Sequence, residues 1–142
     1  MPLPTPAGLI DASDPQPVTD IVARLGTGHW RRDGFRDPVI EMMTEGVPWR
    51  VQFYGCENGA DCTDLRFLSV LLPAEGATAD IQDDLARWNS THRFGKVSLD
   101  KDENRVIEMN VNMAGGVTRQ NFDVTLDWWM LALHRFKESF AR

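Results

Sequence analysis

The segment that most constrains the fold is residues 105–113, where apolar and polar side chains alternate. The apolar positions are Ile107, Met109, Val111 and Met113, and the polar positions between them are Glu108, Asn110 and Asn112. Because successive side chains of a β-strand point to opposite faces, this pattern predicts a strand with one buried and one wetted face. A chain of 142 residues is long enough to build one core against such a sheet.

Four further segments are predicted as strands: residues 38–44, 49–54, 65–72 and 96–100. In the second of them Trp49, Val51 and Phe53 share one side. Residues 45–48 form a turn, and residues 55–64, with Asn58-Gly59 at the tip, form a hairpin loop. Sequential hairpins predict a largely antiparallel sheet of about five strands.

The strand at residues 65–72 is apolar on both sides. One side carries Leu65, Phe67 and Leu71, and the other carries Leu68, Val70 and Leu72. Such a strand is either central and covered on both faces, or half of a seam between two subunits. The first arrangement is the more common one.

Three helices complete the predicted order α-β-β-β-α-β-β-α, an α+β fold. The first carries Val18, Ile21, Val22 and Leu25 on one face, with Pro15 or Pro17 in its first turn and Gly26 at its end. The second carries Ile81, Leu85 and Trp88 after a capping Thr78, and the third follows Gly115-Gly116 and a capping Thr118. Residues 1–16 hold four of the eight prolines and are predicted to be a flexible lead-in to a single domain at 17–142.

The last helix has two apolar stripes. The predicted core stripe contains Phe122, Leu126, Trp129, Leu133, Phe136 and Phe140. Val124, Trp128 and Leu131 lie on nearly the opposite side, at i, i+4 and i+7. A helix on a sheet needs only one such stripe. The second is therefore either covered by the N-terminal segment or a loop of the same chain, or is a binding surface for a client protein or a second subunit.

Charge and hydropathy exclude two classes of partner. The formal net charge of −6 argues against nucleic acid, which requires clustered cations. Asp33 and Asp37 interrupt the one basic cluster, Arg31, Arg32 and Arg36, which reads as a solvated loop. No apolar stretch approaches the length of about 18 residues that inserts across a bilayer. As written the start lacks a signal peptide, which predicts a cytoplasmic protein, or a periplasmic one if a leader was removed.

No residues form a recognisable catalytic, cofactor or metal site. His29, His92 and His134 are scattered, although His134 and Glu138 are one helical turn apart. Residues 100–105 imitate the start of a calcium loop, but Arg105 stands where glycine is required and Val111 where a bidentate glutamate is required. A polar hairpin turn is the better interpretation.

Cys56 and Cys62 flank the predicted hairpin tip, so their backbones can approach within disulfide reach. An exported protein favours a disulfide here, whereas a cytoplasmic one favours two free thiols.

Three motifs together resemble one known family. They are Tyr54-Gly55-Cys56 leading to Cys62, then Trp88-Asn89 followed by Arg93-Phe94-Gly95-Lys96, and finally Glu108-Met109-Asn110-Val111-Asn112 before Gly115-Gly116-Val117-Thr118. In this order, over residues 17–137, they resemble the YbjN-type bacterial proteins, which are described as regulators of sensory transduction.

The resemblance implies an α+β fold similar to type III secretion chaperones, small acidic proteins that often dimerise and hold segments of other proteins. It implies no catalytic residues. Many relatives with the two-cysteine hairpin carry an export leader, from which this sequence departs. We therefore expect a non-enzymatic regulatory module that binds a protein segment. The alternatives are an enzyme whose pocket residues are dispersed along the chain, and a structural protein of the cell envelope.

Overall fold

The computed structural model describes residues 8–73 and 80–140, and these residues form an α+β fold. The strands are β1 (Leu9–Ile10), β2 (Thr27–Arg32), β3 (Pro38–Thr44), β4 (Val47–Tyr54), β5 (Asp64–Leu71), β6 (Lys96–Leu99), β7 (Arg105–Asn112) and β8 (Val117–Thr118). The helices are α1 (Pro15–Val22), α2 (Ile81–Thr91) and α3 (Arg119–Phe140), and a 3₁₀ turn, Ala23–Leu25, follows α1. The predicted fold class is confirmed.

Six strands form one antiparallel sheet in the order β2-β3-β4-β5-β7-β6. The strands β2, β3, β4 and β5 are joined by consecutive hairpin turns. The chain then passes through α2 to β6 at the far edge and returns as β7, which pairs with β5. The two-residue strands β1 and β8 pair separately, with Leu9 opposite Thr118.

One face of this sheet packs against α3. Trp129 is fully buried, and its ring centroid lies 6.0 Å from that of Trp49 and 5.6 Å from that of Phe67. The predicted core stripe of α3 is buried throughout: Phe122, Leu126, Trp129, Leu133, Phe136 and Phe140. The side chain of Thr118 accepts a hydrogen bond from Asn121 N at 3.0 Å, which confirms the predicted cap.

The other face of the sheet is only partly shielded. On β5, Leu68 is half-buried, Val70 is 39% exposed, and Leu72, just after the strand, is 75% exposed. The strand is central, between β4 and β7, as the first of the two predicted arrangements requires, but its outer face is only partly covered by the described residues. The helix α3 lies on the opposite face, and within residues 8–73 and 80–140 no helix forms a second layer over this one.

Charged pairs occupy much of this outer face. Glu108 pairs with Arg66 and lies 3.9 Å from Lys96. Partial burial works to lower the pKa of Arg66, but a hydrogen bond with Tyr54 and the charge of Glu108 outweigh it and raise that pKa. Arg66 is therefore a fixed cation, and the outer face is a mixed apolar and ionic surface.

The basic segment that was expected to be a solvated loop is largely a strand. Residues Thr27 to Arg32 pair with β3 in unbroken register, from Thr27 opposite Met43 to Arg32 opposite Pro38. Arg31 and Arg32 thus belong to β2, and the sheet has six strands rather than five. Among the residues of β2 only Trp30 is even half-buried, so the strand lacks the apolar alternation that marks a half-buried strand. For that reason the sequence did not predict β2.

The predicted lead-in also differs from the structure where it can be compared. Residues 9 and 10 form β1, Ala12 is fully buried, and α1 begins at Pro15 with Asp14 as its cap. Residues 8–16 therefore belong to the domain, while residues 1–7 and the predicted cap Thr78 lie outside the described ranges. The helix α2 begins after Asp80, whose side chain makes no capping hydrogen bond.

The β6 edge of the sheet is sealed by a side chain. Asn89, in α2, donates from Nδ2 to the carbonyl oxygen of Val97 and accepts from the Val97 amide at Oδ1, each over 2.9 Å. The neighbouring Trp88 donates from Nε1 to the Gly95 carbonyl oxygen over 2.8 Å. The Trp88-Asn89 motif therefore binds α2 to β6, and Asn89 occupies the position that another strand would take.

We expect Asn89→Ala to lower the free energy of unfolding by about 1–3 kcal/mol, because it removes the hydrogen-bond partners of both backbone groups of Val97, a buried residue. Chemical denaturation followed by circular dichroism measures this change. Ser90→Ala is the matched control, since the Ser90 hydroxyl only donates back to the Arg87 carbonyl of the same helix. Equal losses in the two variants would contradict the sealing role.

Candidate interaction surface

The outward side of α3 carries an exposed apolar surface, here called the α3 patch: Val124, Trp128, Leu131 and the adjoining Phe94. The first three are 39%, 42% and 50% exposed, respectively. They recur at i, i+4 and i+7 and so form one continuous row on the helix. The opposite side of α3 fills the core, so this row has no packing role in the sheet–helix layer.

Phe94 is held against α3 by the loop that joins α2 to β6. Gly95 has φ +82°, and a Cβ there would lie 2.8 Å from Ile107 Cδ1, so the tight turn requires glycine. The ring of Phe94 stacks on Trp128 at a centroid distance of 4.0 Å and an interplanar angle of 15°. The guanidinium carbon of Arg93 lies 5.1 Å from the Phe94 centroid. The patch thus contains a pre-arranged aromatic pair with a cation above it.

Sequence reasoning found the helical part of this patch and missed Phe94. A loop residue has no periodicity, so nothing placed it beside Trp128. The signal that could have found it is the glycine directly after it, because Gly95 fixes the turn that directs the Phe94 ring towards α3.

Charged side chains border the apolar row. Asp127 and Arg135 are both exposed on the same side of α3, eight residues and therefore about 12 Å apart along the helix axis. Neither forms an ion pair within residues 8–73 and 80–140. An apolar centre with a charged rim has the composition of a protein–protein interface.

A cavity of about 330 Å³ lies between the β3–β4 turn and the second half of α3. Its lining consists of Thr44, Glu45, Val47, Met130, Leu133, His134, Lys137 and Glu138. His134 Nε2 lies 2.5 Å from Glu138 Oε1. The Thr44 hydroxyl donates to the Leu25 carbonyl at 2.7 Å and accepts from Trp49 Nε1 at 2.9 Å. That hydroxyl is occupied with structural bonds, so the cavity does not present it as a nucleophile beside a base.

The three histidines are far from forming a common site. His29 lies in β2, His92 follows α2 and stacks on Trp88 at 3.7 Å, and His134 pairs with Glu138 in α3. In the part of the chain that the structure describes, no three His, Cys, Asp or Glu side chains cluster as a metal site would require. Nor does that part contain a helix of the length and hydrophobicity needed to cross a bilayer.

The calcium-like segment is a hairpin turn organised by Asp100. Its carboxylate accepts hydrogen bonds from the amides of Asp102 and Asn104 and from the Asn104 side chain, each at 2.9 Å. These bonds, led by that from the Asn104 side chain, lower the pKa of Asp100 below 3.8. The carboxylate oxygens therefore stabilise the turn.

The lowered pKa predicts a pH-dependent contribution of Asp100 to stability. A carboxyl whose folded pKa is depressed contributes fully above its unfolded pKa, near 4, and loses the contribution as pH falls through the folded value. The stability difference between wild type and Asp100→Asn should thus be present at pH 7 and shrink below about pH 4. Urea titrations at several pH values measure it. Asp102→Asn is the control, and a difference that grows on acidification would contradict the assignment.

The Cys56 and Cys62 sulfurs lie at disulfide-bonding distance. The bridge closes the loop between β4 and β5, and Cys62 is buried while Cys56 packs against the core. Within the loop, Glu57 and Ala60 exchange backbone hydrogen bonds of 2.7 and 3.0 Å. The loop is therefore tied to the domain at both cysteines.

We expect the purified protein to gain about 2 Da on reduction, as one disulfide requires. Because the closed loop is short, reduction should cost at most about 2–3 kcal/mol of unfolding free energy. Intact-mass spectrometry with and without reductant tests the bond, and a Cys56→Ser, Cys62→Ser variant controls for reductant effects. An unchanged mass, with both thiols alkylated before reduction, would contradict it.

Comparison with known proteins agrees with this architecture. The family model YbjN, described as "Putative bacterial sensory transduction regulator", matches residues 15–142. This chain belongs to the YbjN family. The crystal structure of YbjN from E. coli, described as "a putative transcription regulator", is similar with a TM-score of 0.60 and 14% sequence identity, over 92% of this chain and 89% of that one. None of the curated proteins matches this sequence.

The family resemblance expected from the motifs is confirmed, as is the shared fold. At 14% identity the E. coli structure bears on the fold alone. The description of the family is that of a regulator. That description does not identify a partner, and the role of the α3 patch stays a prediction.

Proposed function

We propose that this YbjN-family protein is a non-enzymatic regulatory module that binds a segment of another protein on the α3 patch. The observation that carries the proposal is the exposure of Trp128, 42%, while its ring is stacked on Phe94. An aromatic side chain that is both exposed and held in place loses little conformational entropy on binding. Such side chains commonly dominate the affinity of an interface.

The form of the patch favours an amphipathic helix as the bound segment. The row Val124, Trp128 and Leu131 forms an apolar ridge along α3, and the ring of Phe94 stacks on Trp128 within it. A helix that presents apolar residues at i, i+3, i+4 and i+7 can lie along that ridge. Asp127 and Arg135 then border it with one charge of each sign, which selects the direction of the bound helix.

The small extent of the patch favours a reversible interaction. Four side chains form its apolar part, whereas stable interfaces involve about 20–30 residues on each side. A modest interface suits a regulator, which must release its partner. Self-association through the same patch is the second form of this proposal, since an identical α3 could occupy the ridge.

An enzymatic role is the less favoured alternative. The 330 Å³ cavity is the feature on which it would depend. The Thr44 hydroxyl in that cavity is held by two structural hydrogen bonds, so the His134–Glu138 pair has no free hydroxyl or thiol beside it among the described lining residues.

The state of the two cysteines bears on the compartment in which the protein acts. A Cys56–Cys62 disulfide supports an oxidising compartment such as the periplasm, whereas a reduced pair would support the cytoplasm.

Replacing Trp128 and Leu131 together by serine should abolish partner binding while lowering the unfolding free energy by only about 1–2 kcal/mol, because the stack of Trp128 on Phe94 is lost but the core stripe of α3 is untouched. Immobilised wild-type protein and variants are exposed to native lysate, and retained proteins are quantified by mass spectrometry. A retained partner is then purified, and its affinity for each form is measured by calorimetry.

Met43→Ser is the matched control, because Met43 is 44% exposed and lies in β3, away from α3. It should retain the partner. A large fall in melting temperature of the double variant would assign the patch to the core instead. Undiminished affinity of the double variant for the purified partner would also reject the proposal.

A further inference from the structure

The two edges of the six-stranded sheet are treated differently. At β6, the Asn89 side chain forms hydrogen bonds with both the amide and the carbonyl oxygen of Val97. At β2, by contrast, no segment of the described chain pairs with the outer edge. The strand is six residues long and its register with β3 is unbroken, so it has neither a bulge nor a proline to discourage pairing. An edge of this kind presents a row of backbone donors and acceptors to another strand.

We propose that two copies of this chain associate through β2, which pairs antiparallel with β2 of the second copy to give one continuous sheet. Backbone hydrogen bonds supply the attraction, as in other cases of strand addition. This surface is separate from the α3 patch, which lies on the helical layer. The inference therefore stands independently of the proposed function.

The geometry of an antiparallel ladder restricts the register. Directly opposed residues of two antiparallel strands lie on the same face of a sheet. A two-fold axis perpendicular to the sheet also keeps each residue on its own face. The axis must therefore lie between the two copies of one residue, and not at a position between two successive residues. The central positions of β2 are His29 and Trp30. An axis at Trp30 would set His29 opposite Arg31, and Gly28 opposite Arg32, of the second copy. An axis at His29 avoids both of these opposed pairs.

With the axis at His29, Trp30 lies opposite Gly28 of the second copy, on the face that holds the core. Gly28 has no side chain, and a Cβ there would lie 2.1 Å from Met42 Sδ and 2.6 Å from the Glu41 carbonyl. Met42 of the second copy therefore already fills the space over its Gly28, and the half-buried indole of Trp30, whose Nε1 donates to Gln16 Oε1 of its own chain over 3.1 Å, would border Met42 there. An aromatic side chain beside an edge glycine is a favourable cross-strand arrangement.

On the outer face the same register separates the cations. Arg31 lies opposite Thr27 of the second copy, and its guanidinium is already bonded to Glu41 at 2.7 Å. His29 lies beside its own symmetry mate, with Glu41 directly across from it on β3. The Glu41 carboxylates of the two copies thus border the central histidine pair, and no two arginine side chains are directly opposed.

The hairpin beyond β2 gives the second observation. Phe35 is 88% exposed at a tip that is fixed by Asp33, whose carboxylate accepts from the amides of Phe35 and Asp37 at 2.8 and 3.0 Å. In the proposed register this tip lies alongside the turn Ala23–Leu25 of the second copy. Leu25 is half-buried there, so the exposed phenyl ring gains an apolar neighbour.

Cysteine crosslinking tests both the edge and the register. His29→Cys should form an intermolecular disulfide under mild oxidation, because position 29 faces its own copy. Thr27→Cys alone should crosslink at least tenfold less, while an equimolar mixture of Thr27→Cys and Arg31→Cys should crosslink to each other. Wild-type protein treated in parallel controls for exchange with Cys56 and Cys62. Equal crosslinking of the His29→Cys and Thr27→Cys variants would overturn the register.

Light scattering tests the association itself. Wild-type protein should show a dimer mass that dissociates on dilution, and His29→Asp should raise the dissociation constant by about tenfold, because it opposes two carboxylates beside Glu41. His29→Asn, which adds no charge, is the control. A monomer mass for wild type at hundreds of micromolar would overturn the proposal. The proposal would also be overturned if the Trp128→Ser, Leu131→Ser variant were a monomer while the His29→Asp variant remained a dimer, because that result would place the interface on α3.

Discussion

The packing of Trp129 against Trp49 and Phe67 is the contact on which the rest of the structure depends. It joins α3 to the two central strands of the sheet, at ring distances of 6.0 and 5.6 Å. All three rings are almost completely buried, and burial of large aromatic side chains is the strongest single contribution to a core of this size. Because this contact fixes which side of α3 faces inward, it also fixes which side faces out.

The exposed features follow from this one-sided layering. Since α3 covers one face of the sheet, the other face of β5 leaves Val70 partly open and is stabilised by pairs such as Arg66 with Glu108. The second apolar row of α3 is likewise left outside the core. The described residues therefore separate into a buried interior and partly exposed apolar and ionic surfaces.

Two surfaces differ in the kind of contact they offer. The α3 patch offers side chains, with the Phe94–Trp128 stack as its anchor, whereas the β2 edge offers backbone hydrogen bonds. The sealing of β6 by Asn89 shows how this fold closes an edge, and β2 lacks such a device among the described residues. Association through β2 and recognition through α3 would not compete, since the surfaces lie on different elements.

The sequence by itself determined the periodic elements: the alternating strand β7, the core stripe of α3 and its Thr118 cap all follow from local patterns. It also determined that α3 has a surplus apolar row, because helical angle depends only on residue spacing. It could not find β2, since an exposed edge strand is held by backbone pairing and not by apolar alternation. Only the tertiary structure decided that Phe94 stacks on Trp128 and that the row is left 39–50% exposed, because both depend on segments distant in sequence meeting in space.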